Sequence, residues 1–65
     1  MKGLSPKEMA EKALSMLSVS LPMPLAKLKA MQDCDEMAKR SKGKQREYWD
    51  YVLIEIAMYG IEEFN

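Results

Sequence analysis

Histidine is absent from this sequence and cysteine occurs once, as Cys34. The missing histidine removes the commonest general base and the commonest metal ligand. One cysteine excludes an intrachain disulfide, and a zinc site built from Cys34 and carboxylates alone would be very unusual. No cofactor and no metal are expected. Two of the usual staples of small folds are therefore lacking. A chain of 65 residues rarely draws more than about 3–5 kcal/mol from a single core. What is left is an efficient core, or association with another chain.

Glycine is scarce too. The three glycines, at 3, 43 and 60, stand too far apart for a phosphate-cradling loop. Apolar runs such as Tyr51 to Ile54 fall far short of the roughly 20 residues that span a bilayer. Lys7, Glu8, Glu11 and Lys12 interrupt any secretory h-region. A lone thiol fits a reducing compartment, so a cytoplasmic protein is expected. Charge of one sign is also missing, with ten basic and ten acidic side chains. Nucleic-acid binders draw most of their affinity from a basic excess, so the balance argues against that class.

What is present reads as one all-α domain over residues 1–65, with helices at about 6–18, 24–40 and 44–60. The first start is the plainest. Ser5-Pro6-Lys7-Glu8 matches a capping box, with proline at the first helical position. Leu4 and Met9 stand where a hydrophobic staple would form. Met9, Ala10, Ala13, Leu14 and Leu17 then recur at helical spacing, and Glu8 with Lys12 make an i,i+4 pair. Ser18 to Pro24 reads as extended, because a residue before proline is pushed out of the α region. Apolar Leu21 and Met23 would lay that segment on the core. Pro22-Met23-Pro24 lacks the spacing of a PxxP ligand.

In the second helix Leu25, Leu28, Met31, Cys34 and Ala38 trace one face, with Met37 beside them. Asp35–Lys39 and Glu36–Arg40 are i,i+4 pairs, and Gly43 marks a stop. In the third helix Trp49, Val52, Leu53 and Ile56 form a stripe that Gly60 continues. Tyr48, Tyr51, Ile54, Met58 and Ile61 cover most of the remaining surface, and the tail Glu62–Asn65 adds at most a turn. A helix apolar nearly all round must be covered on several sides, more than two partner helices can supply. The expected fold is a small three-helix bundle or a homodimer of helical hairpins.

Catalytic chemistry finds little to work with. Cys34 has no histidine beside it, and Asp33, Asp35 and Glu36 would raise its pKa. Counted from Asp33, a calcium loop would need glycine where Ala38 stands. Glu47 and Asp50 have no evident pocket to drive their pKa values apart. No enzymatic activity is expected; a ligand site at a subunit interface would rest on carboxylates and tyrosines alone. The reading that remains is a regulator, adaptor or inhibitor. It would bind a protein partner or itself through Trp49, Tyr51, Ile54, Met58 and Tyr59, the flexible methionines suiting an adaptable surface. The alternative is a helix-turn-helix-like binder of nucleic acid, or of an acidic partner. Its contacts would be Lys39, Arg40, Lys42, Lys44 and Arg46 of the basic turn 39–46.

Overall fold

The first helix begins where its chemistry places it. In a computed structural model that describes residues 3–60, Ser5 Oγ accepts from the Glu8 N–H at 3.2 Å. Glu8 Oε1 accepts from the Ser5 N–H at 3.0 Å. With Pro6 lacking an N–H, two of the three donors left unpaired at this helix start are thus satisfied reciprocally. Helix α1 runs Pro6–Leu17 and buries Ala10 and Leu14. The Leu4 carbonyl accepts from the Tyr48 hydroxyl at 2.7 Å, which ties the chain before α1 to the last helix.

Residues 18–20 turn rather than extend. Ser18 is helical at φ −71° and ψ −11°, and the N–H groups of Ser20 and Leu21 return to the Leu17 carbonyl at 3.2 and 3.0 Å. Proline restricts only the residue before it, so nothing in Pro22 prevents residues 18–20 from winding on. Leu21 packs against the core as expected. Met23 does not stay extended, because α2 runs Met23–Arg40 with Pro22 as its N-cap. The early proline costs no intrahelical bond, since first-turn N–H groups have no partner in any case.

The buried face of α2 is not the expected leucine face. Ala26, Ala30, Cys34 and Ala38 point inward, while Leu25 and Leu28 are 51% and 54% exposed. The inward row repeats every four residues, the spacing of a ridge that packs into a neighbouring helix. Small side chains on that ridge let neighbouring backbones approach closely. Of the expected set, Met31 and Cys34 remain against the core, and Ala38 is buried.

Helix α2 ends at Arg40, with Ser41 Oγ donating to the Met37 carbonyl at 2.8 Å. Gly43 therefore starts the next helix rather than ending this one. It is the N-cap of α3, Lys44–Met58, at φ +63° and ψ −133°. An L side chain rarely adopts that backbone conformation. Gly43→Ala should lower the free energy of unfolding by about 1–3 kcal/mol. The loss would be strain alone, since beyond its chain neighbours no heavy atom lies within 4 Å of where its Cβ would stand. An unchanged urea midpoint would contradict this assignment.

The last helix is shorter than expected. It ends at Met58, Tyr59 is extended, and Gly60 has φ +80°, so Gly60 leaves the stripe it was expected to continue. Lys27 closes this end. Its Nζ donates to the carbonyls of Ala57 at 3.3 Å and Tyr59 at 2.9 Å, the unpaired acceptors that a cation satisfies best. The bond also shows that α2 and α3 run antiparallel. Ile61 and the tail Glu62–Asn65 lie outside the described residues.

The core gathers Ala10 and Leu14 of α1, Ala26, Ala30 and Cys34 of α2, and Val52 and Ile56 of α3. Trp49 and Leu53 of the expected α3 stripe pack at its edge. The three helices form a small all-α bundle, with no strand among the described residues. None of these helices is long and apolar enough to cross a membrane. Among the described residues ion pairs close at Lys29–Asp33 and Lys39–Asp35, at 3.5 and 3.1 Å. The expected Glu8–Lys12 and Glu36–Arg40 pairs do not close. Exposed pairs of this kind gain little in water.

Candidate functional site

The inner and outer faces of α3 differ in burial. Val52 and Ile56 are fully buried. Tyr51, Ile54 and Met58 stand at i, i+3 and i+7, the spacing of one helix face. All three are more than half exposed, at 59%, 53% and 54%. The structure therefore brings three of the five expected protein-binding residues into one outward apolar line. Glu47, Asp50 and Glu55 are exposed beside it, each one turn from a member of the line.

The other two residues go elsewhere. Trp49 is half-buried against the core. Its ring meets that of Tyr48 edge-on, with centroids 5.2 Å apart and planes at 85°, a favoured aromatic arrangement. Tyr59 lies past the helix end, where it borders a small hollow with Lys7, Glu11, Glu55 and Gly60.

The basic turn is solvated throughout. Lys39, Arg40, Lys42, Lys44 and Arg46 are exposed, and Lys39 is held by Asp35. Lys44, Gln45 and Arg46 fall about 100° apart around the helix axis and make no common face. The outward side of α3, where a recognition helix would read a groove, carries Glu47, Asp50 and Glu55. Those carboxylates would meet phosphates with like charge, which weighs against the nucleic-acid reading.

Among the described residues two titratable groups are shifted. Burial first, and then the Asp33 carboxylate, push the Cys34 thiol up from its ordinary value. A thiol so held stays protonated and is a poor nucleophile. Burial, helped by Cys34 and Glu8, also raises the Tyr48 hydroxyl, which is already committed as a donor to Leu4. Among the described residues no three acidic or cysteine side chains gather to hold a metal.

Sequence reasoning missed one feature, an apolar groove of about 320 Å³ between α1 and α2. Met9 and Met16 of α1, Ala30, Cys34 and Met37 of α2, and Trp49 of α3 line it. It exists because α2 offers alanine and cysteine where larger side chains would have filled the space. The methionine excess was a signal for an adaptable surface, but it did not say where. Compared with known protein families, characterised proteins and solved structures, the chain matches none.

Proposed function

We propose that the protein is a small, non-enzymatic regulator or adaptor that binds another protein through the outward face of α3. One observation carries the reading: Tyr51, Ile54 and Met58 are more than half exposed in a row on a helix whose opposite side buries Val52 and Ile56 completely. Covering the three would gain roughly 3 kcal/mol from their exposed apolar area. Scattered exposed hydrophobics need no explanation, whereas an aligned set marks an interaction surface. A second copy of the chain is one possible cover, giving the homodimer anticipated from the sequence. A different protein is the other. The same three side chains anchor both. A cytoplasmic setting rests on the single thiol.

The test is a photo-crosslinking residue placed at Ile54, in extract of the cells that make the protein. Discrete adducts are expected from position 54 and not from Ser15 or Gln32, which are exposed on the other two helices. The adduct mass separates a second copy from another protein. Equal labelling from all three positions, or none from position 54, would contradict the reading.

A further inference from the structure

Resting on that protein-binding reading, we propose that the outward face of α3 takes a cationic amphipathic helix from another protein. The argument is the sign of the charge around the apolar line. All ten lysines and arginines precede residue 47, and every charged side chain from Glu47 onward is a carboxylate. On α3, Lys44, Arg46 and Glu47 share the first turn, and the charged side chains in the later turns that carry Tyr51, Ile54 and Met58 are Asp50 and Glu55. Among the described residues none of these three carboxylates closes an ion pair, the cations of the two pairs being Lys29 and Lys39. Lys27, on the adjoining helix, is turned onto the α3 carbonyls instead. An apolar line edged by unpaired carboxylates complements apolar anchors edged by lysine or arginine.

The same charges disfavour the other occupants. Two copies packed with parallel α3 helices would set Asp50 of one against Glu55 of the other. Packed antiparallel about Ile54, they would bring the two Glu55 carboxylates together near the axis. Like charges opposed in this way are destabilising. Phosphate-rich partners, nucleic acid or an anionic membrane, meet the same repulsion. The face is helical and offers no strand edge to extend, so a partner must pack side chains against it, as helices do ridge into groove.

The experiment titrates the full chain with three synthetic peptides as long as α3. One is an amphipathic leucine–lysine helix. The second has glutamate in place of every lysine, and the third has the first composition in shuffled order. Saturable binding of the leucine–lysine helix alone is expected. It should weaken about tenfold in Glu47→Gln/Asp50→Asn/Glu55→Gln, about tenfold in Ile54→Ser, and further with added salt. Equal binding of the shuffled peptide would reduce the effect to bulk charge and overturn the proposal, as would no binding of the leucine–lysine helix. Ile54-dependent binding of the glutamate peptide would overturn the cationic partner while leaving α3 a protein-binding face. A concentration-independent dimer by light scattering, dissolved by Ile54→Ser, would overturn it in favour of a second copy.

Discussion

Ile56→Ala should unfold most of the protein. Ile56 is fully buried, and with Leu14 and Val52 it is among the largest side chains completely removed from water. Truncating a buried isoleucine to alanine costs about 2–5 kcal/mol, from lost transfer energy and the cavity left behind. A domain of this size holds only about 3–5 kcal/mol in total, so one substitution removes most of the margin. The alanines of the α2 row do not close the gap, since Ala26 and Ala30 have no rotamers to move into it. Loss of the helical circular dichroism signal at room temperature, or a urea transition without a native baseline, is the expected result. A full cooperative transition shifted by less than about 1 kcal/mol would mean that the three helices do not share this core.

Ala26→Leu is the second large effect, and it runs against what side-chain hydrophobicity alone would suggest. Ala26 is fully buried on the α2 row that packs into the bundle. Forcing a leucine there should cost about 1–3 kcal/mol through displaced helices and strained rotamers. Leu25→Ala, one position away and half exposed, should stay within about 0.5 kcal/mol. Urea unfolding of the two variants side by side measures the difference. The opposite order would restore the leucine face to the core.

That contrast shows why part of the fold was legible in the sequence and part was not. The start of α1 was readable because Ser5, Pro6 and Glu8 act locally, each through its own backbone neighbours. The inner stripe of α3 was readable because Val52 and Ile56 are both large and periodic. Helix α2 carries two competing apolar faces, one of leucines and one of alanines. Periodicity alone does not choose between them. The choice is made by how closely neighbouring helices approach, a tertiary quantity that favours the smaller side chains. Gly43 was recognised as a break, but whether it ends α2 or starts α3 depends on its backbone angles and not on its identity. At the candidate site, Tyr51, Ile54 and Met58 were legible as apolar surface in excess of what two neighbours cover. Periodicity placed Trp49 on the inner stripe with Val52 and Ile56, where it packs at the core edge, and only its aromatic character had made it a binding candidate. The groove between α1 and α2 is lined by small side chains of both helices, Ala13 with Ala30 and Cys34, and such a pairing is tertiary.

Helix α3 is proposed to hold the fold with one face and to leave the other for a partner. The most direct measurement is urea unfolding of Tyr51→Gln/Ile54→Gln/Met58→Gln at low micromolar protein. Glutamine keeps nearly the helix propensity of the residues it replaces, so the triple variant removes the apolar line and little else. An unfolding free energy within about 1 kcal/mol of the parent is predicted, with the same denaturant slope. A loss of more than about 2 kcal/mol, or a transition that no longer unfolds cooperatively, would show that those side chains belong to the core and would contradict the account.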